Sequence, residues 1–121
     1  CRLSDTAFEG SDLTAASFVG GRLSNCKFER TTLDAADFGK SHIELCFFDG
    51  AHLDKASFAG AKLSDCSFPA AHMAGVSFVG ATLSSSVVER ADLTGADFTG
   101  ALIDDVDVSL ANVTGAVGLT V

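Results

Sequence analysis

The sequence has no tryptophan, no tyrosine, one proline and one methionine among its 121 residues. It has no run of 18 apolar residues and no charged N-terminal region followed by an apolar stretch, so it predicts neither a transmembrane helix nor a signal peptide. Basic residues are scarce, with 8 Lys and Arg against 16 Asp and Glu, and the net charge is −8. Because phosphate contacts need Lys and Arg, this balance argues against direct nucleic-acid binding.

Motifs that carry chemistry are also missing. There is no Gly-x-Ser-x-Gly, no His-Glu-x-x-His, no glycine-rich phosphate loop and no Cys-x-x-Cys. Serine and aspartate are plentiful, but they recur at fixed positions where their turn propensity explains them. We therefore predict a protein that is not an enzyme and has no cofactor, no catalytic residue and no metal site.

What the sequence does have is a five-residue repeat that runs without insertion or deletion. Residues 91–100 form two units, in each of which a small and a polar residue precede a large apolar centre. Stepping by ten from Leu93, the centres are Leu3, Leu13, Leu23, Leu33, Ile43, Leu53, Leu63, Met73, Leu83, Leu93, Ile103 and Val113. Stepping by ten from Phe98, they are Phe8, Phe18, Phe28, Phe38, Phe48, Phe58, Phe68, Phe78, Val88, Phe98, Val108 and finally Gly118.

A period of five fits neither an α-helix nor a flat strand. On a helix the centres smear around the cylinder, and on a strand they alternate between faces. The chain must therefore turn a corner in every unit, so that all centres point to one axis. Outward residue types recur every twenty residues, which indicates four units per coil and six coils. We expect every centre from Leu3 to Val113 to be buried.

The units resemble those of the pentapeptide-repeat family, usually written Ala-(Asp/Asn)-Leu-x-x. The resemblance covers essentially the whole chain and implies an all-β fold, a right-handed quadrilateral β-helix. We expect one solenoid domain, residues 1–121, whose repeat decays after about residue 113.

Three of the four cysteines, Cys26, Cys46 and Cys66, share one column of the small inward position. Parallel side-chain vectors disfavour disulfides, and a straight column cannot surround a tetrahedral zinc ion. We interpret these residues as buried free thiols that pack like small apolar groups, and we expect Cys1 to react readily. Free thiols favour a reducing compartment, so we predict a cytoplasmic location. Because Cys1 already lies within the repeat, we interpret the ends as trimmed.

The outward positions form four faces, named here by their first centre. The Leu3 face carries the cationic column Arg2, Arg22, His42 and Lys62, and the Phe8 face carries the carboxylate column Glu9, Glu29, Asp49 and Glu89. The Leu13 face carries His52 and His72, which we interpret as solvated, with a surface metal pair as the alternative. The Phe18 face is almost neutral.

Two apolar surfaces are candidate protein-binding sites. The first consists of Leu45, Phe47 and Val87, and the second, on the Phe18 face, of Val19, Ala59 and Val79. We favour the first because a large aromatic residue at an outward position has no role in the fold, and aromatics are common in binding hot spots. We therefore expect a rigid, non-catalytic interaction module or scaffold with an unidentified protein partner. A homodimer through a solenoid end or a flat face is a further alternative.

The family resemblance implies a second function. Pentapeptide-repeat proteins of the quinolone-resistance type mimic the DNA duplex and bind type II topoisomerases such as DNA gyrase. The candidate mimic surface is Glu9, Glu29, Asp49, Glu89, Asp92, Asp97, Asp104, Asp105 and Asp107. Residues 91–121 hold five acidic residues and no basic one. The cationic column, the absence of projecting loops and the lack of a C-terminal dimerisation helix depart from that subgroup.

Overall fold

The computed structural model describes residues 2–119, which form an all-β solenoid. Its strands are β1 (Arg2–Ser4), β2 (Arg22–Ser24), β3 (His42–Glu44), β4 (Lys62–Ser64), β5 (Thr82–Ser84) and β6 (Leu102–Asp104). Each strand pairs in parallel with the next along the chain, and partners are always twenty residues apart. The predicted twenty-residue coil and its six turns are therefore confirmed.

The other three faces follow the same register through isolated parallel bridges. Lys27 pairs with Phe47 on the Phe8 face, His52 with His72 on the Leu13 face, and Ser57 with Ser77 on the Phe18 face. Residues 2–119 include no helix, and hence none that could cross a membrane. All four faces thus consist of extended residues stacked coil upon coil.

Three of the four corners in a coil are tight turns. After Phe8, the Ser11 N–H donates to the Phe8 carbonyl at 2.9 Å, and Gly10 between them has φ +72°. After Leu13, the Ala16 N–H donates to the Leu13 carbonyl at 3.0 Å. A positive φ at the third turn residue is the mark of a type II turn, which explains the small and polar residues at this position.

The corner between the Leu3 and Phe8 faces is built differently. In the part of the chain that the structure describes, no backbone bond of the i to i+3 type closes it. Instead the side chain after the corner donates to a carbonyl two residues back: Thr6 Oγ1 to Ser4 O at 3.1 Å, and Cys66 Sγ to Ser64 O at 3.4 Å. Ser86 Oγ binds Ser84 O in the same way. The interpretation of the cysteines as merely small apolar groups was therefore incomplete, because this column also supplies hydrogen-bond donors.

The core is a stack of phenylalanine rings between rows of aliphatic side chains. Phe28, Phe48 and Phe68 stack with centroids 4.9 and 4.8 Å apart and nearly parallel planes. Phe38 and Phe58 belong to a second stack, whose rings meet the first edge to face. Both geometries are favourable for aromatic pairs. Because the centres alternate and one coil has twenty residues, each phenylalanine of these stacks lies on the phenylalanine of the next coil.

The expectation that every centre is buried was wrong at both ends. Leu3, Phe8 and Leu13 in the first coil are only partly buried, as are Ile103, Val108 and Val113 in the last. A coil in the middle of a stack is covered on both sides, whereas a terminal coil within residues 2–119 has a neighbour on one side only.

Gly118 breaks the repeat for a steric reason. A Cβ at this position would lie 2.5 Å from the backbone nitrogen of Thr99 and 2.6 Å from the carbonyl carbon of Phe98. The backbone of Gly118 therefore approaches the preceding coil too closely for any side chain. The following residue, Leu119, is partly buried against the core.

Candidate protein-docking surfaces

Leu45 is the one large apolar residue among the non-glycine residues of 2–119 that have a positive φ. It lies at the corner between the Leu3 and Phe8 faces, which no i to i+3 backbone bond closes and which we call the open corner. Its φ is +53°, and it is 51% exposed. The left-handed region is unfavourable for most side chains and best tolerated by glycine, asparagine and aspartate. The equivalent residues in the other coils are Asp5, Asn25, Asp65, Ser85 and Asp105. Leu45 is therefore an apolar residue where the fold favours a small polar one.

The neighbours of Leu45 only partly match the predicted patch. Phe47 pairs with Lys27 and Ser67 and is partly buried, so it offers solvent less of its ring than we expected from its outward position. Val87 is 47% exposed and lies two coils from Phe47 in the same column, with Ser67 between them. Leu45 lies at the corner and Phe47 two residues further on the Phe8 face, whereas Val87 lies roughly 10 Å from Phe47 along the axis.

The second predicted surface is a single column of the Phe18 face. Val19 and Val79 are 50% and 40% exposed, whereas Ala59 between them is partly buried. Gly39, which is buried, and Thr99, which is exposed, also belong to this column. The surface is flat and weakly apolar, because small residues separate the two valines.

Sequence reasoning missed three exposed apolar side chains of the last coils. Leu102, Leu110 and Val117 all have more than half of their surface exposed. Each replaces a polar or small residue at an outward or corner position, for instance Leu102 in the column that begins with Arg2. Comparing each column across all six coils would have revealed them.

The predicted acidic surface is spread around the rod. The Phe8 face carries Glu9, Glu29, Asp49, Glu89 and Asp107, and Pro69 interrupts that carboxylate column. Asp92 lies on the Leu13 face and Asp97 on the Phe18 face, while Asp104 and Asp105 lie at the end of the Leu3 face. The structure does not gather these nine residues into one patch.

Two of these carboxylates are held in place by the threonine two residues further along the chain. The hydroxyl and the N–H of Thr99 both donate to Asp97 Oδ1, and Thr94 binds Asp92 in the same way. These bonds, the hydroxyl bond first, lower the pKa of Asp97 and Asp92 below the usual aspartate range. The carboxylates are therefore charged at neutral pH and fixed in orientation.

The two histidines of the Leu13 face form a stacked pair. Their ring centroids are 4.6 Å apart with an interplanar angle of 2°, and both side chains are exposed. Asp92 is the next residue in their column. No group of three or more potential metal ligands occurs within residues 2–119.

The three cysteines of the inward column are free and buried, as predicted. Burial is the main cause that raises the pKa of Cys46 and of Cys66 to about 12. Cys1, which we expected to be reactive, lies outside the described residues.

We expect the Cys46 and Cys66 thiols to react very slowly with a thiol reagent. The thiolate is the reactive form, so a pKa near 12 instead of 9 lowers its population at pH 8 by about a thousandfold, before burial limits access further. The measurement is a thiol titration of a Cys1→Ser variant, with the same protein in urea as the control. Fast reaction of two or three thiols in the folded protein would contradict this account.

A surface depression lies on the Leu3 face, across β1 to β5. It is an open groove of about 680 Å³. Its walls are two columns of outward side chains, one beginning with Arg2 and the other with Ser4. In the second column Glu44 lies between two serines, opposite Ser24 on one strand and Ser64 on the next.

Comparison with known proteins gives one family and one fold. The family model described as pentapeptide repeats (8 copies) matches residues 1–30, 31–69, 70–100 and 89–117. No curated protein matches the sequence.

Among solved structures, a pentapeptide repeat protein from the Arabidopsis thaliana thylakoid lumen is 26% identical, with a TM-score of 0.75 over 78% of this chain. QnrB1, a plasmid-mediated fluoroquinolone resistance protein, is 18% identical in a trypsin-treated form, with a TM-score of 0.58 over 95% of this chain. The chain spans 66% of the length of each, just under two thirds. At this identity the second likeness concerns the fold alone.

Proposed function

The chain belongs to the pentapeptide-repeat family, and from that premise we propose that it is a rigid, non-catalytic docking module for another protein. Leu45 and Phe47 form the centre of the contact. A continuous core fixes the backbone positions of the outward residues, so a partner meets a preorganised backbone and less ordering entropy is lost on binding.

The conformation of Leu45 is the observation that carries the proposal. An L-residue in the left-handed region costs roughly 1–2 kcal/mol, and an exposed leucine gains little from burial in return. Asn25 and Asp65, at the same place in the neighbouring coils, are types that tolerate this conformation. A residue that weakens the fold and presents apolar surface has the properties expected of a binding residue.

The Leu45→Asn variant separates binding from folding. We expect it to be more stable than the parent by about 0.5–1 kcal/mol, because asparagine tolerates the left-handed region. The same variant, combined with Phe47→Ser, is expected to lose the partner. The measurements are urea unfolding, mass in solution, and the stoichiometry of proteins captured by the purified chain.

The matched control is Val19→Ser with Val79→Ser, which removes as much exposed apolar surface from the Phe18 face. The proposal expects this control to retain the partner. Loss of the partner with the control alone would move the contact to the Phe18 face. If neither pair changes the solution mass or the captured proteins, the apolar surfaces are incidental.

A second candidate is the binding of a type II topoisomerase through DNA mimicry. It is favoured by the carboxylates that the backbone holds charged and oriented, such as Asp92 and Asp97, and by the fluoroquinolone resistance recorded for QnrB1. The cationic column of the Leu3 face argues against it, because a duplex presents negative charge all round. A gyrase supercoiling assay with and without the protein decides between the two candidates, since a docking module for another partner leaves supercoiling unchanged.

A further inference from the structure

We infer that the Leu3 face binds a short acidic peptide in an extended conformation, laid along the axis of the rod. The inference rests on the docking role proposed above and gives the partner chemistry of a different surface from that around Leu45. It starts from a local reversal of charge, since the chain as a whole carries −8.

Four cationic or titratable side chains stand in register on consecutive strands. Arg2 lies opposite Arg22, Arg22 opposite His42, and His42 opposite Lys62. All four are exposed. The side-chain hydrogen bonds within residues 2–119 use hydroxyl, carboxylate, thiol and amide groups, and none uses a guanidinium or an ammonium group. The donors of the column are therefore available to a ligand.

The dimensions of the column suit an extended peptide. Strands in a sheet lie about 4.8 Å apart, so Arg2 and Lys62 are roughly 14 Å apart along the axis. An extended peptide rises about 3.3 Å per residue and presents alternate side chains about 6.6 Å apart on one side. Five residues with acidic side chains at every second position therefore span the column, and flexible Arg and Lys side chains adjust to the difference in spacing.

The second wall of the groove adds neutral donors. It consists of the outward residues of the same strands, Ser4, Ser24, Glu44, Ser64 and Ser84. Serine hydroxyls here can donate to peptide carbonyls or carboxylates. Glu44 is the one acidic residue of the groove lining, and its charge opposes an acidic ligand.

The surroundings restrict the ligand to a single narrow chain. The corner beside the serine column carries Asp5 and Asp65, about 10 Å from the cationic column by strand geometry. A broad polyanion such as a nucleic-acid duplex would meet these carboxylates. The lining of the groove contains no Phe, Tyr or Trp, and the imidazole of His42 is its one ring, so successive bases of a single strand would find no continuous stacking platform. A peptide is therefore favoured over nucleic acid.

Beyond Lys62 the column carries uncharged residues. Thr82 follows, and then Leu102, which is 69% exposed. An apolar residue at one end of the acidic segment would contact Leu102. The probe is the heptapeptide Glu-Ala-Glu-Ala-Glu-Ala-Leu, whose three glutamates and terminal leucine face one side when the chain is extended and span about 20 Å of the roughly 24 Å between Arg2 and Leu102.

The test is an NMR titration of the protein with this peptide at low ionic strength, with the glutamine analogue as the control ligand. We expect shift changes confined to the residues of β1–β4 and to Leu102, and no binding of the analogue. Because exposed charges are screened by salt, raising the salt concentration should weaken binding. Shift changes spread evenly over all four faces, or equal binding of the analogue, would overturn the inference.

Two matched variants test the role of the column. Lys62→Glu and Lys55→Glu change the net charge equally, but Lys55 lies on the Leu13 face at a corner with φ +61°. We expect Lys62→Glu to raise the Kd about fivefold and Lys55→Glu to leave it nearly unchanged. Glu44→Gln should lower the Kd about twofold, because it removes a repulsive charge. Equal effects of the two lysine variants would mean that only total charge matters, and the inference would fail.

An oligothymidine titration separates the two classes of polyanion. Tighter binding of the oligonucleotide than of the peptide, with the same dependence on Lys62, would overturn the assignment to an acidic peptide. These outcomes are independent of the Leu45→Asn experiment. A failed peptide titration leaves the proposed docking contact at Leu45 intact, and the reverse is also true.

Discussion

Phe48→Ala is expected to lower the free energy of unfolding by about 3–5 kcal/mol, the range found for buried phenylalanines. The Phe48 side chain has no exposed surface, and its ring stacks on Phe28 and Phe68 at 4.9 and 4.8 Å. The rings of Phe38 and Phe58 meet it edge to face. Coils above and below are fixed by their own ladders, so the structure has little freedom to close the cavity.

The measurement is urea unfolding of the variant and the parent, with Phe8→Ala as the matched control. Phe8 has the same position in the repeat but is only partly buried in the first coil, so its replacement should cost less than half as much. A loss below about 1 kcal/mol at Phe48, or equal losses at the two positions, would show that the rings do not pack as described.

The fold could be predicted from the sequence because the residue types of every five-residue unit favour the same coiled path. The centres Leu63 and Phe68 repeat at intervals that only a coiled path can bury, and the outward residue types set the length of one coil. The burial of individual outward side chains could not be predicted in this way. Phe47 occupies an outward position, yet neighbouring coils partly cover its ring.

The role of the inward column was also hidden in the sequence. Cys66 and Ser86 are both small, and size alone explained their position. Their side chains donate to Ser64 O and Ser84 O because no backbone bond closes this corner. The period of the sequence does not predict that feature. The close approach of Gly118 to Thr99 is likewise a consequence of three-dimensional packing.

The candidate sites were predicted unevenly for a physical reason. A period identifies residues that break the pattern, such as Leu45, but it does not report the backbone conformation that makes this leucine costly. The cationic column was visible in the sequence because its members are twenty residues apart. That the column forms one wall of a groove could not be predicted from the sequence. It follows from the strand pairing, which places Arg22 and Lys62 on either side of His42.

The chain completes one coil every twenty residues, and each coil contacts only its neighbours. Deleting residues 41–60 removes one coil and keeps this register. Leu23 would then pair with Leu63, Phe28 would stack on Phe68, and Cys26 would meet Cys66. Because repeat proteins are stabilised by nearest-neighbour interfaces, the shortened chain should fold into the same solenoid with five coils.

Deleting residues 41–58 is the control, because it is two residues shorter than a coil. Every later apolar centre is then two positions out of register with the first half, so the coils on either side of the junction cannot stack. This variant has nearly the same length and composition. We expect it to lose the interface across the deletion and to unfold as two independent blocks, one before the junction and one after it.

The decisive measurement is urea unfolding of the two deletion variants, followed by circular dichroism. We expect the chain lacking residues 41–60 to unfold in one cooperative transition from a β-rich state, with a denaturant dependence about one sixth smaller than that of the parent. For the chain lacking residues 41–58 we expect a lower midpoint and a denaturant dependence of about half that of the parent or less, because its two blocks unfold independently. Equal behaviour of the two variants, or substantial helix in the parent spectrum, would contradict the twenty-residue coil.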